Sequence, residues 1–206
     1  MDAAKLLNEA KIVPVLSINN IDDALPLADC LYKAGFTTLE ITLRTDFALE
    51  AIALIKKHRQ DYTVGAESVR TAKQMKQVHD LGVDLVVSPG HTTSLIEPAH
   101  GLNLPFVPGA VTPSGMMSLY DCGYQLRKFF PAQASGGLAF LKAVSAPLPK
   151  IKFFPTGGIN LALAKDYLAF EKVSCIGGAW FVPADKLAQK DFKAISILAN
   201  QAAELF

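Results

Sequence analysis

The sequence has few of the residues that would indicate a disulfide-linked, metal-binding or nucleic-acid-binding protein. Its three cysteines, Cys30, Cys122 and Cys175, are an odd number without metal-ligand spacing, so we expect reduced thiols in a cytoplasmic protein. The four histidines form no ligand pattern, and no metal site is therefore predicted. A net charge of +1 gives no sign of a nucleic-acid or acidic partner.

Long apolar runs are also missing. No run approaches the length of a membrane span, and the N-terminus, Met1 to Lys5, lacks the basic start and apolar stretch of a signal peptide. We therefore expect no membrane association. Apolar residues are instead distributed along the whole chain, and they make up 50% of its 206 residues. Without a linker or low-complexity break, it predicts a single domain over residues 1–206 with one substantial core.

Short apolar runs alternate with helical patterns about eight times. Near-continuous apolar strands of this kind are typical of a parallel sheet covered by helices. The predicted strands are residues 12–16, 37–42, 62–66, 84–88, 104–107, a run through Lys128 that ends at Pro131, and residues 150–154 and 173–177. Eight units predict a (β/α)₈ TIM barrel with an extra N-terminal helix. A doubly wound open sheet is the rival, but no Gly-x-Gly-x-x-Gly follows the first strand.

Polar and glycine residues collect where the predicted strands end. In a barrel, the C-terminal ends of the strands form the rim that carries the active site. The segments at this rim are 42–44, 65–68, 88–90, 108–109, 128–131, 156–158 and 177–178. This accumulation predicts a site for a small molecule.

Lys128 lies in the most informative of these segments. If the run is a strand, Leu126, Lys128 and Phe130 share one buried face. A charged amine is costly there, and the neutral amine that burial favours is the form that attacks a carbonyl carbon. The alternative is a lysine that extends its ammonium group to the edge of the core and has no chemical role.

The second strand places two charged side chains on one face. Alternation puts Leu39 and Ile41 toward the helices, and it puts Glu40 and Arg44 toward the barrel interior. About 13 Å of strand separates these two, too far for a direct ion pair. Burial should raise the pKa of Glu40 toward the range of a general acid or base, while Arg44 offers a planar fork for a carboxylate. Both could instead belong to a polar plug inside the barrel.

Two glycine pairs follow the last two predicted strands. They are Gly157-Gly158, preceded by Thr156, and Gly177-Gly178. Exposed backbone N–H groups at these two loops commonly bind phosphate in barrels, although a glycine pair alone is more often only a turn.

Together these residues resemble one family, that of 2-keto-3-deoxy-6-phosphogluconate (KDPG) aldolase, which includes 4-hydroxy-2-oxoglutarate (KHG) aldolase. The similarity runs in register over nearly the whole chain. The segments that carry it are 40–45, 64–66, 88–90, 128–132, 154–158 and 176–180. It implies a class I aldolase on a (β/α)₈ barrel, usually a homotrimer, that cleaves a keto acid to pyruvate and glyceraldehyde 3-phosphate. No cofactor or metal is implied.

The resemblance also implies a role for each candidate residue. Lys128 corresponds to the lysine that forms the Schiff base, and Glu40 to the group that moves protons. Arg44 corresponds to the partner of the pyruvyl carboxylate, with Ser68 and Pro89 beside it. The remaining expected substrate-binding residues are Phe130, Thr156, Gly157, Gly158, Gly177 and Gly178.

Two departures from the family pattern bear on the substrate. Glu67-Ser68 stands where the family usually has Gly-Thr, which adds a carboxylate that we expect near the rim. Ala179 stands where a serine is common, which removes one phosphate donor. Alternatives therefore stay open: a KHG aldolase, an aldolase for the galactonate isomer of KDPG, or a non-catalytic binder of phosphorylated ligands. A metal-dependent aldolase or isomerase is disfavoured by the scattered histidines.

Overall fold

The computed structural model describes residues 3–205, and strands alternate with helices along this whole length. All the strands are short, with two to five residues each. They are β1 (Ile12–Leu16), β2 (Thr38–Thr42), β3 (Thr63–Glu67), β4 (Leu85–Val87), β5 (Phe106–Val107), β6 (Leu126–Phe129), β7 (Lys152–Pro155) and β8 (Ile176–Gly178).

The helices follow the strands one by one, and several begin at a side chain that caps them. Thr71, Thr112 and Asn160 each accept a hydrogen bond from a backbone N–H of the first turn, which is why helices start there. The helices are α1 (Ala3–Asn8), α2 (Ala24–Lys33), α3 (Ala48–His58), α4 (Ala72–Asp80), α5 (Thr93–Gly101), α6 (Pro113–Asp121), α7 (Gly137–Ser145), α8 (Leu161–Leu168), α9 (Ala184–Ala188) and α10 (Phe192–Ala203).

All the strand pairs within the described residues are parallel. One sheet has six strands in the order β5-β4-β3-β2-β1-β8, and β6 pairs with β7 in a second sheet. Isolated parallel bridges join Gly109 to Lys128 and Thr156 to Gly177, so each edge of the six-stranded sheet meets the β6–β7 pair. The α/β class and a curled parallel sheet are therefore confirmed.

The strands are buried on both faces, as a parallel sheet under helices requires. Every residue of β2 is buried, including Glu40, and all of β6 is buried as well. The largest cluster of apolar side chains lies between the sheet and the helices, where Leu39 and Ile41 have no exposed surface. Because these apolar side chains face the helices, the inner face of the sheet is left for polar side chains such as Glu40.

The third strand is shifted by one residue relative to the predicted strand of residues 62–66, and this shift bears on the site. The pattern ends the third strand at Ala66, whereas β3 continues to Glu67, which pairs with Thr42 in register. The carbonyl oxygen of Glu67 accepts a hydrogen bond from the backbone N–H of Leu43 at 2.7 Å. Glu67 is therefore the last strand residue and lies on the same face as Gly65.

No helix within residues 3–205 is long and apolar enough to cross a membrane.

Candidate active site

Lys128 is fixed by the backbone on both sides of β6. Its N–H donates to the carbonyl oxygen of Pro108 at 3.0 Å, and its own carbonyl oxygen accepts from Ala110 N–H at 3.0 Å. On the other side it is in register with Phe154 of β7. The side chain has no exposed surface, and its ammonium nitrogen lies 5.2 Å from the centre of the Phe130 ring. The alternative of a lysine that extends its ammonium group into solvent is therefore wrong.

The neighbouring residue Arg127 points to the opposite face of β6 and holds this strand in place. Its guanidinium donates to the carbonyl oxygens of Met116, Tyr124 and Gln125 at 2.8–3.1 Å. Burial lowers the pKa of Arg127 to about 10, which leaves it charged at neutral pH. The three donated hydrogen bonds compensate much of the cost of burying this charge and tie β6 to α6 and to the loop between them.

The ammonium group of Lys128 forms an ion pair with Glu67. The contact is between Nζ and Oε1, and the side chain of Glu67 is only 1% exposed. The second carboxylate oxygen accepts from the Ser68 hydroxyl at 2.8 Å and from Arg44 Nη2 at 3.2 Å. Glu67 was expected near the rim, and it is the last residue of β3, at the C-terminal end of that strand. Because β3 ends one residue later than predicted, Glu67 belongs to the strand, and its side chain contacts the lysine, which the sequence did not predict.

Charge, rather than burial, decides the ionisation of Glu67. Burial alone would raise its pKa, but the Lys128 ammonium, hydrogen bonds from Lys128 and Ser68, and the charge of Arg44 act in the opposite direction. Together they outweigh burial and hold the pKa below its ordinary value. Glu67 is therefore an anion at neutral pH.

Glu40 lies in the same interior, but its protonation state differs from that of the Glu67 anion. Its side chain has no exposed surface, and neither carboxylate oxygen has a hydrogen-bond partner among the described residues. Burial raises the pKa of Glu40 to about 8, the nearby Lys128 opposes this, and the Glu67 anion adds to it. Glu40 is therefore mostly protonated at neutral pH, and it titrates in the range of a general acid or base, as the sequence predicts.

Gly65 provides the space that Glu40 occupies. The two residues are paired across β2 and β3, and a Cβ atom on Gly65 would lie 3.0 Å from Cγ of Glu40 and 3.1 Å from Leu85. A side chain at this position would push the carboxylate out of place.

Arg44 and Ser68 form the polar edge between the buried groups and solvent. Arg44 is half exposed, and its Nε donates to the Ser68 hydroxyl at 3.1 Å. Ser68 has a left-handed backbone with φ of +63°, which costs a non-glycine residue on the order of 1–2 kcal/mol. The neighbouring contacts hold this conformation and aim the hydroxyl at both Arg44 and Glu67.

A cavity of about 380 Å³ opens from this edge. Phe130 and Arg44 are both in its wall, so it leads to Lys128 and Glu67. Its other lining residues are Val15, Thr156, Gly157, Gly158, Ile159, Gly177, Ala179 and Trp180. The sequence identified six of these ten residues. It missed Val15, Ile159 and Trp180, which are apolar and carry no chemical signature, and it treated Ala179 only as a departure from the family.

The glycine loops form the far wall of the cavity. Gly157 and Gly158 have φ of +103° and +76°, a backbone conformation that glycine adopts without strain. The hydroxyl oxygen of Thr156 is buried beside Gly177 with no hydrogen-bond partner among residues 3–205. An unpartnered polar atom in a cavity wall is a place for a polar ligand atom.

Gly178 and Pro89, two of the predicted substrate-binding residues, belong neither to this wall nor to its polar edge. Gly178 is buried, and the ring of Trp180 fills the space where a Cβ would stand. Pro89 follows β4, where its carbonyl group packs against Gly109. Within the described residues, no group of three or more histidine, cysteine, aspartate or glutamate side chains could hold a metal ion.

These features define a class of protein. A buried lysine on the inner face of a parallel α/β sheet, next to a carboxylic acid that titrates near neutrality and below an open cavity, is the arrangement of an enzyme that forms a Schiff base with a carbonyl compound.

The comparisons identify the family within this class. A model of the aldolase family described as KDPG and KHG aldolase matches residues 3–198. The 2-dehydro-3-deoxy-phosphogluconate aldolase of Dickeya dadantii is 42% identical over 97% of this chain and 94% of its own. The chain belongs to the KDPG and KHG aldolase family.

Solved structures agree with this assignment. The KDPG aldolase of Legionella pneumophila, with pyruvate captured as a covalent carbinolamine intermediate, superposes with a TM-score of 0.94 at 36% identity, and 97% of each chain is covered. The corresponding aldolase of Zymomonas mobilis ZM4, with 3-phosphoglycerate, also has a TM-score of 0.94, at 38% identity over 100% of this chain and 96% of its own.

The raised pKa of Glu40 predicts a pH-dependent cost to stability. Between its ordinary value of 4.5 and about 8, the folded chain keeps the proton that the unfolded chain releases. Stability from this group therefore falls as pH rises through that range and is constant above it. At about 1.4 kcal/mol per pH unit, the loss approaches 4–5 kcal/mol.

The Glu40→Gln variant removes this titration. Relative to wild type, it should gain about 2–5 kcal/mol more free energy of unfolding at about pH 9 than at about pH 5, as measured by urea unfolding followed by circular dichroism. Glu50→Gln, on the exposed surface of α3, is the control and should show no such difference. Equal effects of Glu40→Gln at both pH values would mean that folded Glu40 is ionised throughout.

Proposed function

We propose that this chain is a class I aldolase that cleaves 2-keto-3-deoxy-6-phosphogluconate to pyruvate and glyceraldehyde 3-phosphate. The observation that carries the proposal is the position of Lys128, which is fully buried behind Phe130 of the cavity wall and close to a carboxylic acid with a pKa of about 8. Relatives with this activity in their names, at about 40% identity over nearly the full length, support it.

The proposal includes the architecture. The two bridges that join the sheets, Gly109 to Lys128 and Thr156 to Gly177, support closure of all eight strands into one (β/α)₈ barrel, with α1 as the extra N-terminal helix and the whole chain as one domain. A homotrimer is proposed from the family resemblance. A cytoplasmic location is proposed from the three cysteines, none of which is in a disulfide.

The reaction begins at Lys128. Lys128, an ammonium ion beside Glu67 before the reaction, first releases one proton to solvent. The neutral amine then attacks the keto carbon of the substrate, and an amine proton moves to the carbonyl oxygen to give a carbinolamine. The protonated carboxyl group of Glu40 then donates its proton to the departing hydroxyl, which leaves as water. The products of this step are a protonated imine and the Glu40 carboxylate. The buried surroundings favour such transfers because water does not compete for the proton.

Cleavage uses the imine as an electron acceptor. The Glu40 carboxylate takes the proton of the C4 hydroxyl, the C3–C4 bond breaks, and its electron pair moves into the imine to form an enamine. The aldehyde product leaves. Glu40 then returns the proton to C3. Water hydrolyses the protonated imine, which releases pyruvate and the amine of Lys128, and the proton set free in this step returns to the Glu40 carboxylate. Over the cycle Glu40 donates and accepts the same number of protons.

The phosphate of the substrate is proposed to bind at the glycine loops. Gly157, Gly158 and Gly177 line the cavity and are the proposed source of backbone N–H donors, and Thr156 adds a hydroxyl without a partner among the described residues. The Zymomonas relative whose structure contains 3-phosphoglycerate supports a phosphorylated ligand in this fold. Ala179 lines the same wall without a hydroxyl, which favours KHG, an unphosphorylated acid, as the second candidate substrate.

Pyruvate and borohydride should label Lys128 and leave Lys152 unmodified. Both residues precede Phe-Phe-Pro in the sequence, but Lys152 is exposed at the start of β7 and binds the carbonyl oxygen of Glu171. Peptide mass mapping after reduction locates the adduct. Reduction at Lys152, or full activity in Lys128→Ala, would contradict the assignment.

Glu40→Gln should still form the imine but lose most turnover. General acid and base groups contribute about 10²- to 10⁴-fold, so kcat should fall by roughly that factor. Borohydride trapping with pyruvate measures the imine separately from cleavage. A fall of less than about threefold would mean that another group moves the protons. The candidate is Glu67, the carboxylate in contact with the lysine.

Ala179→Ser should widen the preference for the phosphorylated substrate. A hydrogen bond to a charged group contributes about 1.5–3 kcal/mol, so kcat/KM for KDPG should rise about 10- to 100-fold relative to KHG. In the wild type KDPG should still be the better substrate, because both glycine pairs are present. If KHG is the better substrate of the wild type, the phosphate assignment of the loops is wrong.

A further inference from the structure

Glu67 uses the hydrogen-bond donors that a keto acid would need. Oε1 of Glu67 pairs with Lys128, while Oε2 accepts from Ser68 at 2.8 Å and from Arg44 at 3.2 Å. Arg44 also donates to the Ser68 hydroxyl. The polar groups around the Lys128 ammonium are thus already bound to the carboxylate of Glu67, which belongs to the chain itself.

Geometry places the carboxylate of a bound keto acid in the same region. In an imine with Lys128, the carboxylate carbon is separated from Nζ by only two bonds, through the former keto carbon. Its oxygens must therefore lie close to Nζ, near Arg44 and Ser68, where Glu67 now lies. Two anions in one buried space repel each other strongly, so both cannot hold these donors at once.

We propose that Glu67 is a specificity-determining residue, an internal carboxylate that competes with the carboxylate of the keto acid for Arg44 and Ser68. A keto acid binds only when Glu67 releases Arg44 and Ser68. The free energy needed for this release weakens the binding of the keto acid. A carbonyl compound without a carboxylate can form the imine while Glu67 keeps Arg44 and Ser68. The inference rests on the proposed Schiff-base function of Lys128.

The remaining role for Glu67, that of the proton-moving base, fits its surroundings less well. Three donors hold it as an anion, and its pKa is lowered, so it is a weak base. Glu40, whose carboxylate oxygens have no partner among the described residues and whose pKa is about 8, is better matched to that role.

Pyruvate and acetone form a matched pair of probes, because acetone replaces the carboxylate by a methyl group. The measurement is the concentration of each ketone that gives half-maximal rate of borohydride inactivation, in the wild type, Glu67→Gln and Glu67→Gly. Both variants should bind pyruvate at least about 10-fold more tightly, since the competing anion is gone. For acetone the change should stay within about twofold, because acetone does not use Arg44 or Ser68. Glu50→Gln, an exposed carboxylate, should change neither value.

A further measurement uses only the wild-type protein and therefore does not depend on whether the variants fold. Its half-maximal concentrations for pyruvate and acetone should lie within about 10-fold of each other, because the carboxylate of pyruvate finds its donors engaged. A preference for pyruvate above about 100-fold would overturn the inference.

Other outcomes are distinguishable. Loss of inactivation by pyruvate in both variants, or an equal gain for both ketones, would overturn the inference and leave the Schiff base of the wild type in place. Failure of the wild type to react with either ketone would overturn the proposed function, and the inference with it.

Discussion

Three ionisable side chains share an interior in which none is more than 1% exposed, and their charges have to balance there. Lys128 supplies one positive charge, while Glu67 and Glu40 could supply two negative ones. Arg44 contributes from the edge, half exposed. An excess of negative charge is avoided because the two carboxyl groups have different surroundings. Glu67 contacts the lysine, the arginine and the serine hydroxyl, while Glu40 has no hydrogen-bond partner among the described residues. One carboxyl is therefore an anion and the other keeps its proton, which separates the two roles on physical grounds.

Much of the scaffold follows from the sequence because its signals are local and strong. Strand positions come from apolar runs bounded by glycine and proline, and the helices come from the patterns between these runs. Glu40 and Lys128 are recognisable because a charged residue inside an apolar strand is exceptional. The family motifs then added roles that spacing alone could not supply.

The contact between Glu67 and Lys128 was not predicted, because the deciding information is not local. A strand that ends at Ala66 leaves Glu67 in a loop, while one more pair in register, with Thr42, turns its side chain inward. β3 and β6 are not paired with each other, so the contact between Glu67 and Lys128 depends on how the sheet curls, which no sequence pattern encodes. The apolar cavity residues Val15 and Ile159 were missed for a related reason, because only the folded chain shows that they line a space.

The position of Trp180 has a practical consequence. It is the single tryptophan of the chain, and its ring packs on Gly178 and against Phe181 in the wall of the cavity. Nearly all of the emission excited at long ultraviolet wavelengths therefore originates a few ångströms from any bound ligand. The unmodified chain carries its own optical reporter, so that occupancy of the cavity could be followed in real time without a label or a coupled assay.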